Sequence, residues 1–131
     1  IDHWSRTLQG RGLTDAERSY LACGCATGWI TTGCNIPIFV AAHREMNIIP
    51  ISPPRPGFQW LNLYDPDDVL GWPLQPLSEG YRQLVEDRAI DAGHGVMDWI
   101  LKSWNPLSHS IYWRDRQVIA ALAAMLTQAA M

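Results

Sequence analysis

FQWLNLYDPDDVLGW, residues 58–72, decides how the rest of the chain is read. Residues 58–64 are mostly aromatic and aliphatic, and the run is too short for an ordinary helix, so it reads as a buried strand. The DPDD that follows at once is turn chemistry, since proline fixes φ and aspartate bonds its own backbone. A strand that stops this abruptly leaves Asp65, Asp67 and Asp68 at its C-terminal end.

Working outward, GWITTGCNIP (28–37) is β-branched and aromatic between glycines and predicts a second strand. LVEDRAID (84–91) alternates imperfectly and predicts a third, nearer a sheet edge. About 20 residues separate consecutive strands, too many for hairpins and enough for parallel crossovers. The expected class is α/β, a partial sheet of about three parallel strands with flanking helices.

Thr14 and Glu17 have capping-box spacing and predict a helix from about Asp15 to Leu21. Upstream, residues 1–12 end in Gly10 and Gly12, as a helix closing on glycine does. At the other end, DRQVIAALAAMLTQAAM (115–131) places Val118, Ile119, Leu122, Met125, Leu126 and Ala129 at helical spacing, with Asp115 as the cap. That helix is expected to pack on the sheet through Val118, Leu122 and Met125. PISPPRPG (50–57) and WPLQPLSEGY (72–81) read as long irregular loops that wall a pocket or cover the surface.

At 131 residues and 47% hydrophobic, the chain suits a single domain, 1–131. A net charge of -3 gives no basic face for nucleic acid or anionic lipid. No apolar run approaches the roughly 18–20 residues of a membrane span. The chain begins with Ile1 and shows no secretory leader, which reads as a processed product or a fragment. Cys23, Cys25 and Cys34 form no disulfide framework and suit a reducing compartment, so the expected location is cytoplasmic. A zinc site joining Cys23 and Cys25 to His3, His43 or His94 lacks the second ligand pair such sites show. No metal and no cofactor are expected.

The acids at 65–68 sit where open parallel sheets gather ligands. His109, in NPLSHSIYW (105–113), follows the third strand and precedes the last helix. Strand, acid, strand, histidine, helix is the order of the back half of a Ser-Asp-His hydrolase. The wording is similar too. Thr32-Gly33-Cys34-Asn35 with Pro37, the run Asn62–Val69, and His109 before Tyr112 and Trp113 together resemble the class 3 lipase-like serine esterases of the α/β-hydrolase group.

That resemblance spans about residues 28–130 and implies that Asp67 is the triad acid and His109 the proton shuttle. The carboxylate would fix the imidazole tautomer so that the free nitrogen takes a proton from a serine hydroxyl and returns it to the leaving alcohol. Asp65 and Asp68 remain rivals for the acid. Trp72, Leu74 and Leu77 would line an apolar pocket for a small-molecule ester. Competing with these roles, DPDD is an ordinary solvated turn, and Tyr112 and Trp113 are packing residues under the histidine loop.

The nucleophile is missing. The fold needs Gly-x-Ser-x-Gly at a strand-to-helix elbow, and the nearest string, GCATG (24–28), has Ala26 at the serine position and a strand after it. Ser108 and Ser110 flank His109, but neighbours on an extended segment point apart. The nucleophile is therefore expected outside these residues. Three strands alone leave an edge that a missing N-terminal half or a second subunit would cover. The alternative is a non-catalytic interaction module on a hydrolase-like scaffold, for which seven tryptophans provide material.

Overall fold

The computed structural model describes residue 12 and residues 14–21, 25–43, 48–92 and 112–129. Its contacts group into two units, Ile1–Thr27 with Ile51–Phe58, and Gly28–Pro50 with Gln59–Met131. The first contains helix α1, Asp15–Leu21. Its start is the capping box read from sequence: the Thr14 amide and hydroxyl both donate to Glu17 Oε2, at 2.8 and 2.7 Å, and the Glu17 amide donates back to Thr14 Oγ1 at 3.3 Å. These bonds hold the Glu17 carboxyl below its ordinary pKa, the Thr14 hydroxyl contributing most.

The second unit is an α/β layer structure. Strands β1 (Gly28–Thr32), β2 (Gln59–Tyr64) and β3 (Val85–Ala89) form one sheet in the order β1-β2-β3. Both pairings are parallel, with Trp29 opposite Trp60, Thr31 opposite Asn62, and Asn62 opposite Asp87. The class and all three strands agree with the sequence reading.

Alternation along the strands gives the sheet two different faces. Leu61 and Leu63 lie on one, packed with Ile90, Ala92, Tyr112, and with Val118 and Ala121 of the terminal helix α4 (Arg116–Ala129). Asp115 caps α4 as expected, its Oδ1 accepting from the amides of Gln117 and Val118 at 2.7 and 3.3 Å. Gly28 permits close packing here, because a Cβ would stand 2.8 Å from the Gln59 carbonyl oxygen and 2.9 Å from the Met125 sulfur.

The contact stripe of α4 is Val118, Ala121 and Met125. Leu122 is 49% exposed, in line with exposed Ile119 and Leu126, which corrects its expected place in the core. The helix is apolar nearly all round, so periodicity alone cannot select the stripe, and the small Ala121 favours the closer approach.

The other face carries Trp60, Asn62, Val85 and Asp87. Trp60 meets Trp29 edge-on at 5.5 Å and Tyr81 at 5.9 Å between ring centroids. Residues 72–81, expected to be irregular, instead fold into a 3-10 turn, Gln75–Leu77, and the start of helix α3, Glu79–Leu84. Ser78 begins α3 by accepting from the Tyr81 amide. A further helix, α2 (Ile36–Ala41), occupies the end of the stretch read as the first strand. Gly33, at φ +54°, is the reason β1 stops where it does.

Candidate functional site

The C-terminal ends of β1 and β2 and the segment after β3 converge on the DPDD turn. Gly33 donates to the Leu63 carbonyl at 3.0 Å, and Ile90 to that of Tyr64 at 2.8 Å, extending the ladder beyond the strands. The three acids of the turn differ sharply. Asp65 and Asp68 are buried, at 5% and 4% exposure, whereas Asp67 is exposed.

Both oxygens of Asp65 serve the backbone: Oδ1 accepts from the Asp67 amide at 2.8 Å and Oδ2 from the Ala92 amide at 2.9 Å. The second bond ties β2 to the chain leaving β3. Asp68 Oδ1 accepts from the Leu70 amide at 2.9 Å, and Oδ2 accepts from the Tyr112 hydroxyl at 2.9 Å. The same hydroxyl accepts from the Asp65 amide at 2.9 Å. Burial is the main cause that pushes the Tyr112 phenol well above its ordinary pKa; the Asp65 amide opposes it, and the Asp68 carboxylate adds to it.

Gly71 makes room for this cluster. A Cβ there would lie 2.8 Å from Asp68 Oδ2, 2.9 Å from the Tyr112 hydroxyl and 3.0 Å from the Gly33 Cα. Contacts below about 3 Å force something to shift, so the glycine is a packing requirement.

A second polar array seats the chain after the turn. Thr31 donates to Asn62 Oδ1 at 2.9 Å, and Asn62 Nδ2 donates to Asp87 Oδ1 at 2.8 Å and to the Trp72 carbonyl at 3.1 Å. Asp87 also accepts from the amides of Leu74 and Gln75, at 2.9 and 2.7 Å. Asn62 has no exposed surface, so each of these bonds offsets a desolvation cost of about 1–3 kcal/mol. Among the described residues, every buried side-chain nitrogen and oxygen is satisfied.

Of the candidates read from sequence, Asp67 lies on the exposed side of the turn and His109 lies outside the described residues. Trp72 is half exposed beside the turn, its amide donating to the Cys34 carbonyl and its indole to that of Val69. Leu77 is half-buried in the 3-10 turn, and Leu74 is fully buried, leaving it no surface for a ligand. Tyr112 is buried as expected, whereas Trp113 is 80% exposed and does not pack as the sequence suggested.

Sequence reasoning missed Thr31, Asn62, Asp87 and the Tyr112 hydroxyl. The one available signal was a polar Asn inside the run 58–64, otherwise read as a buried strand; Asp87 stood in a run read as an edge strand, where charge is ordinary. Among the described residues no group of His, Cys, Asp and Glu could hold a metal ion, and no helix is long and apolar enough to cross a membrane. Set against family models, curated proteins and solved structures, the chain matches none of the three.

Proposed function

We propose that this chain supplies the acid and the histidine of a serine ester hydrolase, of the class 3 lipase-like kind its sequence resembles, with the nucleophilic serine coming from outside these residues. The observation that supports the reading most is the division of labour in the DPDD turn. Asp65 and Asp68 spend their oxygens on backbone amides and Tyr112, while Asp67 stands exposed at the C-terminal end of the central strand. That is where a triad acid of a parallel α/β sheet belongs.

Tyr112, three residues after His109 in the chain, is hydrogen-bonded to both Asp65 and Asp68, which flank Asp67 in the turn. Asp67 then orients the imidazole, and His109 takes the serine proton and returns it to the leaving alcohol. Trp72 and Leu77 form the apolar rim for an ester substrate, and the free thiols Cys25 and Cys34 suit the reducing cytoplasm.

The test is hydrolysis of p-nitrophenyl butyrate by a polypeptide that extends upstream through a Gly-x-Ser-x-Gly segment. His109→Ala should abolish turnover and labelling of that serine by a fluorophosphonate. Activity that survives His109→Ala, or labelling of Ser108 or Ser110 in the 131 residues alone, contradicts the reading.

One observation favours a second reading, an association module. Ile119, Leu122 and Leu126 of α4 are 55%, 49% and 62% exposed on one helix stripe, the kind of apolar row that marks a contact surface. A chain that self-associates in sedimentation, loses this on Leu122→Glu and shows no esterase activity in the extended form would favour that reading.

A further inference from the structure

We propose that two copies of this chain pair edge to edge through β1, about a two-fold axis at Ile30, and that the exposed apolar row of α4 packs against its copy at the same junction. The proposal concerns how the 131 residues assemble and goes beyond both readings above.

The register of the sheet says which main-chain groups of β1 are left over. In a parallel ladder a residue bonds to the two neighbours of the residue opposite it. Leu63 stands opposite Thr32, and its carbonyl takes the Gly33 amide. Leu63 therefore bonds on either side of Thr32, whose own amide and carbonyl point away from β2. Alternation gives Ile30 and Gly28 the same outward orientation. Among the described residues the sheet has no strand beyond β1, and nothing takes the amide or carbonyl of Ile30 or Thr32.

The two edges of the sheet differ. β3 carries an exposed Glu86–Arg88 ion pair at 2.6 Å, and the Val85 carbonyl at its start is taken by the Gln75 side chain. Charges and covering groups keep an edge from pairing. β1, GWITT, has no charge and no proline. A molecule with one open edge cannot stack β1 on β3 from copy to copy; its β1 meets a second β1 in a closed pair.

Two β1 edges related by a two-fold axis run antiparallel, and centring the axis on Ile30 sets outward residues against outward residues. Ile30 faces Ile30 of the second copy, Gly28 faces its Thr32, and Thr32 faces its Gly28. Each such pair exchanges amide–carbonyl bonds in both directions, as hydrogen-bonded pairs of an antiparallel ladder do. The two three-stranded sheets become one.

The same axis covers α4. The helix follows Tyr112, which is bonded at the C-terminal end of β2, and reaches the N-terminal end of β1, where the Met125 sulfur lies against Gly28. It therefore runs antiparallel to the strands, over Leu61, Leu63 and Ile30. On the opposite face α3 packs through Tyr81 on Trp60, and its crossover from β2 to β3 takes the right-handed course of parallel connections. Ile119, Leu122 and Leu126 each follow a contact residue, Val118, Ala121 or Met125, by one helical step of about 100°. In that geometry the step turns the row toward the open side of β1. Pairing then removes from water an apolar row that the single chain leaves exposed.

Sedimentation equilibrium over about 1–300 µM chain, a range in which modest interfaces assemble, should move the mass from 14.8 kDa toward twice that value and no further. Amide exchange gives the location. In the dimer the Ile30 and Thr32 amides should exchange about tenfold or more slowly than in the dilute monomer. The Gly33 amide, bonded to Leu63 within the chain, should change far less. Thr32→Pro deletes an outward amide and spares the ladder to β2, a place where an edge strand accepts proline. Leu122→Glu charges the exposed row without entering the core. Each should raise the dissociation constant about tenfold or more.

If Thr32→Pro does not fold, Leu122→Glu and the exchange rates of the unaltered chain decide. A mass that stays at 14.8 kDa overturns the proposal and leaves the edge to a different partner. Protection of Ile30 and Thr32 in the dilute monomer also overturns it, because the chain would then cover its own edge. A dimer whose Ile30 and Thr32 amides exchange freely, or one that survives Thr32→Pro, forms elsewhere and contradicts the pairing. Loss on Thr32→Pro but not on Leu122→Glu keeps the edge and removes α4 from the junction. Mass that grows without limit would mean stacking of β1 on β3 and contradict the two-fold axis.

Discussion

Tyr112 and Asp68 are 44 residues apart in the chain and joined by a 2.9 Å hydrogen bond, with the Tyr112 hydroxyl as donor. Removing that hydroxyl strands the buried Asp65 amide as well. Tyr112→Phe should therefore cost about 1–3 kcal/mol. Urea unfolding checks this; an unchanged midpoint would show that water replaces the hydroxyl at no loss.

The same phenol gives a pH signature. Its folded pKa lies well above the ordinary value of 10.0, burial being the main cause. The folded state keeps a proton that the unfolded state releases, so this contribution is whole below about pH 10 and is lost as pH rises beyond it. Urea midpoints between pH 8 and pH 12 should fall more steeply for the wild type than for Tyr112→Phe. Tyr81, also raised, first by burial and then by Cys34, contributes equally to both curves. Parallel curves would contradict the assignment.

Asp87 should govern the seating of residues 72–75. Asp87→Ala removes the acceptor for the Leu74 and Gln75 amides and for Asn62 Nδ2. Hydrogen exchange at Leu74 and Gln75 should accelerate by about tenfold or more, the equivalent of about 1.4 kcal/mol or more. The Ile90 amide, bonded to the Tyr64 carbonyl, should keep its rate. Uniform acceleration everywhere would point to global destabilisation instead.

The two stripes of α4 should respond differently. Leu122→Ala should change stability by less than about 0.5 kcal/mol, as exposed positions do, while Val118→Ala should cost about 1–3 kcal/mol. A large loss at Leu122, measured by thermal unfolding of the monomer, would mean that this face is covered in solution.

What was legible in the sequence was local. Thr14 and Glu17, Asp115, and the apolar run before DPDD each signal through neighbours a few residues away, and each reading holds. What was not legible depends on register. Asn62 finds Thr31 and Asp87 only because parallel pairing sets them side by side, and the Tyr112 hydroxyl finds Asp65 and Asp68 across more than 40 residues. Helix α3 was hidden by the prolines before it, although Ser78 three residues ahead of Tyr81 was a usable capping signal. The end of β1 was overrun because Gly33 and Pro37, both turn and helix-start residues, were read as part of the strand.

Exchanging one carboxylate at a time tests the assignment of Asp67 most directly. In the polypeptide that includes the nucleophile, kcat per folded molecule is compared for Asp65→Asn, Asp67→Asn and Asp68→Asn. Losing the acid that sets the histidine tautomer costs on the order of 10⁴ in kcat with the fold intact. The expected result is that loss for Asp67→Asn with an unchanged unfolding midpoint, and lowered stability with smaller kcat effects for the other two. Full activity in Asp67→Asn would contradict its role as the acid of the catalytic pair.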